Sequence, residues 1–374
     1  MFVLLKMLQY HGFQALGFLC ISLTSLGLYF LFVYKNTEYP LLTLALWVST
    51  IFLLQRRIAR GRTCAEVNTT GRMRGKTVIV TGGNSGLGLE TSRSLYRMGA
   101  HVIMACRDPR RAQRAADDIR RASVSDGGQL TLLSLDLASR KSIEVFAGDL
   151  MKREGFRLDI LVNNAGIADA PYGHTEDGWE TLFGTNHMGT YYLTHLLLPL
   201  LLASKGRVVN VGSAGMILFL PLQNAHTLDL ASIAKVESES HYHSRRQYAY
   251  SKLCNAIHAQ ELQKCYGDRG LTAVCVHPGN VISPMSLGFN RRLFAVSDSV
   301  NALMAKTILP LVCQTAVEGA QTTLHCCLHD VVGGGYYADC MLMPGHVPHV
   351  TFIGPRGERG LTLSELTNSL WKLQ

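Results

Sequence analysis

Charge is scarce in this chain, and cysteine is used without any regular plan. Only 17% of the 374 residues are Asp, Glu, Lys or Arg, against about 25% in an average soluble domain, which points to segments that live in lipid. The ten cysteines lie irregularly, mostly inside apolar runs (Cys106, Cys254, Cys275, Cys313). No paired CxxC grid is present, so a disulfide framework or zinc site is not expected and a reducing compartment is favoured. With 11 prolines and 47% hydrophobic residues, collagen-like, low-complexity and disordered classes are excluded. The formal charge of +9 suggests nucleic acid at first sight, but aromatic–basic interleaving is missing. Much of the excess instead sits in residues 1–62, where Lys6, Lys35, Arg56, Arg57, Arg60 and Arg62 face Glu38 alone. That placement indicates membrane lipids and no nucleic acid.

What is present begins with two apolar runs. Residues 12–34 carry no charged side chain, and about 23 residues in a helix reach roughly 34 Å, enough for a hydrocarbon layer of about 30 Å. Residues 39–54 reach only about 24 Å as a helix, a marginal length. The break at Lys35–Glu38 with Pro40 is turn material, and QRRIARGR follows with four arginines. The positive-inside rule places that flank, and all that follows, on the cytosolic side. Residues 1–62 are therefore expected to be a helical membrane anchor, with a two-segment hairpin whose ends are both cytosolic favoured over a single span with an interfacial second helix. A cleaved signal peptide fits less well, since its apolar core is only about 7–15 residues long.

After a polar linker, residues 63–74, the pattern changes. Short β-rich runs (77–80, 101–105, 130–135, 159–162, 207–211, 271–276) alternate with amphipathic stretches (90–98, 108–121, 141–152). Strands alternating with helices predict an α/β fold, a doubly wound Rossmann-type parallel sheet with helices on both faces. The turn Thr81-Gly82-Gly83-Asn84-Ser85-Gly86-Leu87-Gly88 follows the first strand and opens a helix. Its glycines let the backbone approach a pyrophosphate, and the helix start offers free N–H groups to the anion. At the end of the second strand, where an acidic residue would hold a ribose hydroxyl, stands Arg107, followed by Asp108. A guanidinium suits a 2′-phosphate, so NADP(H) is expected over NAD(H), with Asp108 as a ribose ligand the competing reading.

Four further segments carry chemistry: Asn163-Asn164-Ala165-Gly166, Asn186 in GTNHMG, Ser213 after VVNVG, and Tyr248 and Lys252 in YAYSK. At i and i+4, Tyr248 and Lys252 share a helix face. A free phenol titrates near 10, and a neighbouring ammonium is expected to bring it toward neutrality.

From Gly82 to about Pro344 the chain resembles a short-chain dehydrogenase/reductase, and residues 75–344 are assigned to that catalytic domain. ACRD, NNAG, FGTNHMGTYYLTHLLLP, SKLCN and HPGNV resemble the microsomal retinol dehydrogenase-like branch, which includes the WW-domain oxidoreductase. The resemblance implies Tyr248 as proton donor or acceptor at the reacting oxygen, Lys252 beside it on the nicotinamide ribose, and Ser213 on the substrate oxygen. It implies that Asn186 holds a water leading to Lys252, and that Asn163, Ala165 and Gly166 border the cofactor. Asp136 and Leu137 would contact adenine; Pro278, Gly279, Val281 and Ser283 would pass the nicotinamide amide. No metal is needed. Two departures stand out: Gly212 where a serine often precedes the catalytic one, and Ser283 in place of threonine. A long segment after Ser213 carries His226, His241 and His243, whose HxH pair reads as a solvated loop.

Met285, Leu287, Phe289, Leu293, Phe294, Leu303 and Met304 form an expected apolar lid over a lipophilic substrate, with core packing as the plainer reading. A retinoid, steroid or isoprenoid carbonyl, reduced with NADPH on the cytosolic face of the endoplasmic reticulum, is the expected reaction. An NAD-linked alcohol oxidation and a non-catalytic dinucleotide-binding scaffold are the alternatives, and a homodimer is left open. In the tail, residues 345–374, Leu363, Leu366 and Leu370 predict a terminal amphipathic helix.

Overall fold

The computed structural model describes residue 29 and residues 40–64, 69–123, 127–218, 220, 227–283, 285–287, 313–345, 347, 350–353 and 359–372, with isolated positions between 297 and 309. The chain divides into two compact units, Thr63–Pro278 with Ala320–Gln374, and Met1–Arg62 with Gly279–Gly319.

In the first unit, apolar runs of four to six residues become strands, and all but the edge strand Gln129–Ser134 are buried along nearly their whole length, as a sheet covered on both faces requires. These are β1 (Thr77–Thr81), β2 (His101–Cys106), β3 (Gln129–Ser134), β4 (Ile160–Asn163), β5 (Arg207–Val211) and β7 (Thr272–His277). The six runs read from the sequence match them to within one residue at each end. The short strands β8 (Tyr336–Ala338) and β9 (Met341–Leu342) complete an eight-stranded sheet ordered β3-β2-β1-β4-β5-β7-β8-β9, parallel except for β9. The chain runs outward from β1 to β3, then returns to β4 on the other side of β1. That reversal opens a crevice at the carboxyl ends of β1 and β4, the place where open α/β sheets bind ligands.

Helices follow from caps and stripes. α2 (Gly86–Arg97) starts after the glycine turn, and α3 (Pro109–Arg121) starts with proline and is capped by Asp108. Ala112, Ala115, Ala116 and Ile119 are its buried stripe. α4 (Arg140–Met151) buries Ile143, Phe146, Ala147 and Leu150 in the same spacing. Alternate strand residues Val78, Val80, Val102, Met104 and Val162 pack with α2, α3 and α7 (Ala316–Leu328), whose residues from Ala320 onward belong to this unit. The other face is covered by α4, α5 (Gly189–Ser204) and α6 (Ser244–Tyr266).

A second, three-stranded sheet joins β6 (Thr227–Asp229), β10 (Thr351–Ile353) and β11 (Arg359–Leu361). It leads into α8 (Leu363–Trp371), opened by a capping box between Thr362 and Glu365. The carboxylate of Glu261 on α6 accepts from the Leu363 and Ser364 N–H groups at 2.7 and 2.9 Å. At the other end of α8, Trp371 Nε1 donates to Met188 O at 3.2 Å, and its ring stacks 4.9 Å from Tyr192. The tail helix is thus packed into the unit that holds the large sheet.

In the second unit, α1 (Pro40–Arg60) takes up the second apolar run and continues unbroken into the basic flank. Arg56 donates to both Glu318 oxygens at 2.7 and 2.9 Å, and Arg60 lies 3.2 Å from the same carboxylate. Two of the four flanking arginines are therefore paired within the protein. Among the described residues no helix is long and apolar enough to cross a membrane; apart from Tyr29, residues 12–34 lie outside the described residues.

Candidate active site

The glycine turn is locked to the end of β4. Thr81 Oγ1 accepts from the N–H groups of Asn164 and Ala165 at 3.0 and 2.9 Å, and Asn164 Nδ2 donates to Thr81 O at 2.8 Å. Gly82 and Gly86 take φ of +64° and +52°, a region costly for residues with a Cβ. A Cβ on Gly88 would stand 2.4 Å from both Gly82 O and Asn164 Nδ2. Ser85 precedes α2 without giving it a side-chain cap, so the helix start, Ser85 to Leu87, presents backbone N–H groups to an anion. The tight, side-chain-free cradle and the uncapped helix fit a dinucleotide.

At the end of β2, Asp108 Oδ1 accepts from the Arg110 and Arg111 N–H groups at 2.9 and 3.1 Å, and these bonds hold its carboxyl below the usual range. Asp108 is thereby committed to capping α3, while Arg107 beside it is exposed. Past β3, Asp136 turns back to accept from Ala138 N–H at 3.0 Å, and Leu137 is buried with its carbonyl against Gly189.

Asn163 is buried on β4 and donates to Thr194 Oγ1 and Asn210 Oδ1 at 3.0 and 2.9 Å. Asn186 sits in a π-helical turn, Gly184–Met188, a local widening often found at functional sites. Its side chain closes on Ile167, accepting from N–H at 2.8 Å and donating to O at 2.7 Å, and also donates to Ser251 Oγ at 3.2 Å. Both amide hydrogens are committed, so a water held here would have only the Asn186 oxygens as acceptors. A Cβ on Gly166 would come 3.1 Å from Asn186 Oδ1 and 3.5 Å from Lys252 Nζ; the bare backbone there borders both groups.

Tyr248 and Lys252 project from α6, with Nζ 5.9 Å from the centre of the phenol ring. Lys252 is buried and donates to Val211 O at 2.8 Å, and burial brings its ammonium down to about 8. Ser213 follows β5, accepts from Gly215 N–H at 3.0 Å, and hydrogen-bonds Tyr248. The sequence leads one to expect an acidic Tyr248, and here the structure differs. Burial raises the phenol above its usual value, and the opposing pull comes from the Ser213 hydrogen bond. Both neighbours are withdrawn from water together, which disfavours phenolate and ammonium alike, and Nζ lies over the ring. Gly212 also finds its reason: a Cβ there would stand 2.6 Å from Cys275 Sγ.

Pro278 is the last residue of the first segment of the unit containing Tyr248, whereas Gly279, Val281 and Ser283 belong to the other unit. There Gly279 has φ +88°, Val281 bridges Gln314, and Ser283 Oγ accepts from Ser286 N–H at 3.2 Å. Of the expected lid, Met285, Leu287 and Leu303 are described; Phe289, Leu293, Phe294 and Met304 lie outside the described residues, as does His226. His241 bonds Ser238 Oγ at 2.8 Å in an exposed turn.

Sequence reading gave no role to Asn255, Asn210 or Glu180. Asn255 Nδ2 donates to Asn186 O at 2.9 Å, and Asn255 O accepts from Asn210 Nδ2 at 2.9 Å. A continuous amide chain therefore runs from Asn163 through Asn210 and Asn255 to the Asn186 turn. The available signal was an asparagine at i+3 from Lys252 and i+7 from Tyr248, on the same face of the helix. Glu180 is fully buried and accepts from the Leu182 and Phe183 N–H groups, each at 2.7 Å, just before the Asn186 turn.

The short chain dehydrogenase family profile matches residues 76–225. Human retinol dehydrogenase 12 (Homo sapiens) is 36% identical over 317 residues, covering 84% of this chain and 90% of the relative. Mouse retinol dehydrogenase 14 (Mus musculus) is 38% identical over 286 residues, covering 72% and 79%. Among solved structures, an uncharacterized protein from Mycobacterium paratuberculosis superposes with a TM-score of 0.56 at 27% identity, covering 84% of this chain and 98% of that one. With the Rossmann sheet, the glycine cradle and relatives this close, the chain belongs to the short-chain dehydrogenase/reductase family, in its retinol dehydrogenase-like branch, and is an oxidoreductase of CH–OH and carbonyl groups.

Proposed function

We propose that the chain is a membrane-anchored oxidoreductase that moves a hydride between NADP(H) and a lipophilic alcohol or carbonyl of retinoid, steroid or isoprenoid type. The observation that carries this reading is the hydrogen bond between the Tyr248 and Ser213 hydroxyls, with Lys252 Nζ 5.9 Å from the same ring. When bound, the nicotinamide supplies or accepts the hydride. Ser213 Oγ fixes the substrate oxygen, and Tyr248, protonated at neutral pH, gives that oxygen its proton. A phenol kept above its usual value is protonated at neutral pH, the form from which carbonyl reduction starts. Lys252, near 8, is the group able to return that proton and to donate to ribose hydroxyls. Asn186, Asn163 and Gly166 keep the 163–167 turn open beside it. Thr81 to Gly88 would hold the pyrophosphate, and Asp136 and Leu137 the adenine.

NADP(H) is supported by the commitment of Asp108 to α3, which leaves Arg107 as the charged group for a 2′-phosphate. Contact with lipid is supported by the exposed apolar side chains of α1, with Leu41 77% and Leu53 67% accessible, and the endoplasmic reticulum with a cytosolic catalytic domain fits the basic flank. The names of the relatives support retinoid-like substrates.

The test is a screen of the full chain in native membranes with retinaldehyde, a steroid ketone and a polyprenal, using both cofactors. Turnover with NADPH is expected to fall roughly 10²–10⁴-fold in Tyr248→Phe, with dinucleotide affinity kept. Tight dinucleotide binding without turnover on any carbonyl would establish the scaffold instead. An NADPH preference unchanged in Arg107→Asp would remove the cofactor assignment.

A further inference from the structure

We propose that Cys64, His325 and His329 form a binding site for a zinc-class transition-metal cation, separate from the hydride-transfer site. Catalytic groups follow the carboxyl ends of β4 and β5. Arg207, at the opposite end of β5, instead donates to the carbonyls of Cys326 and His329, the latter at 2.7 Å. The cluster thus lies at the amino edge of the sheet.

Two ligands come from one helix. His325, in the last turn of α7, and His329 just beyond it are four residues apart, the spacing that sets two imidazoles on one face. Their ring centres are 4.7 Å apart. The third comes from a distant part of the chain: Cys64 Sγ lies 3.4 Å from His329 Nε2. Cys64 is fixed at its backbone as well, its N–H donating at 3.0 Å to Oε1 of Gln321, one helical turn before His325. One sulfur and two ring nitrogens lie within 4.8 Å of one another, the only such trio of His, Cys, Asp or Glu among the described residues.

Tetrahedral zinc takes nitrogen at about 2.0–2.1 Å and sulfur at about 2.3 Å, so neighbouring ligand atoms stand about 3.4–3.6 Å apart. The Cys64–His329 pair meets this separation, and the remaining distances need to close by about 1 Å. A thiol–imidazole hydrogen bond would account for Cys64 and His329, but not for a second imidazole stacked on the first and facing the same sulfur. The Arg207 guanidinium, bound to the His329 carbonyl, repels a bare cation, so the thiolate is indispensable to the site. On binding, Cys64 loses its proton to solvent, two neutral imidazoles donate lone pairs, and a water takes the fourth position. A thiolate with two imidazoles selects zinc-class ions over magnesium or calcium. The bound ion would staple residue 64, at the start of the catalytic unit, to the end of α7.

The experiment uses the full chain purified in detergent, stripped with a chelator and titrated with cobalt(II). About one equivalent is expected to produce tetrahedral visible bands and a thiolate-to-cobalt band in the near ultraviolet. Zinc should displace it, and the melting temperature should rise. Cys64→Ser is expected to abolish the thiolate band, and His325→Gln to weaken cobalt binding at least tenfold. His241→Gln, in an exposed turn, should change neither. Dinucleotide binding by each variant reports folding, and a Cys64→Ser chain that fails it is replaced by the His325→Gln, His329→Gln double variant. A thiolate band that persists in Cys64→Ser, or octahedral cobalt without one in the wild type, overturns the proposal and leaves the hydride-transfer reading untouched.

Discussion

Glu180→Gln should reverse the order of stability between acid and alkaline pH. Glu180 is fully buried, and its two carboxylate oxygens accept from the Leu182 and Phe183 N–H groups. Burial pushes the carboxyl from 4.5 up to about 7, against the pull of those two bonds. The folded chain therefore keeps a proton that the unfolded chain has released. The resulting stabilisation is fully present below pH 4.5 and is lost as pH rises from there to about 7. At about 1.4 kcal/mol per pH unit, the loss is about 3 kcal/mol. Glutamine carries no charge to bury but can accept only one of the two N–H bonds, a cost of about 1–2 kcal/mol. At pH 5, where the wild type has already lost about 1 kcal/mol of this stabilisation, the variant should be the weaker by up to about 1 kcal/mol. At pH 8 it should be the stronger by about 1–2 kcal/mol, because the wild type then carries the buried anion. Urea unfolding of the full chain in detergent, followed by fluorescence of the adjacent Trp179, measures both. A stability difference of the same sign and size at pH 5 and pH 8 would refute the assignment of a buried, protonatable Glu180.

Two other substitutions examine the cradle and the tail. Gly88→Ala places a Cβ 2.4 Å from Gly82 O, so the turn must move; a stability loss of about 1–3 kcal/mol and a weakened dinucleotide affinity are expected in thermal melts and binding titrations, and unchanged affinity would show that the turn is not the phosphate cradle. Trp371→Ala removes the bond to Met188 O and the stack on Tyr192, at an expected cost of about 3–5 kcal/mol. Because Met188 closes the Asn186 turn, turnover should fall as well, and a variant with wild-type melting would show that α8 is not part of the folded unit.

Much of this protein was legible in its sequence, for a local reason. The runs that became β1, β2, β4, β5 and β7 are apolar on both faces because a doubly covered parallel strand has no wet side. Glycines at 82, 86 and 88, the Asp108-Pro109 helix start, and the Tyr248–Lys252 spacing each act within one turn or one helical pitch, so neighbouring letters carry them. Strands of two or three residues, such as β8 and β9, have too few side chains to show a period, and only the pairing of β8 with β7 and of β9 with β8 makes them strands.

Local patterns were enough to foresee the doubly wound parallel sheet, the glycine turn, and a tyrosine and a lysine on one helix face. The assembled fold was needed to show that the Tyr248 phenol is raised, because adjacency of a lysine is local while withdrawal from water depends on everything packed around both groups. It alone joined Asn255 to Asn186, Trp371 to Met188, and Cys64 to His329. Those partners stand 69, 183 and 265 residues apart, and a hydrogen bond acts over about 3 Å, so they meet only once the chain has closed on itself.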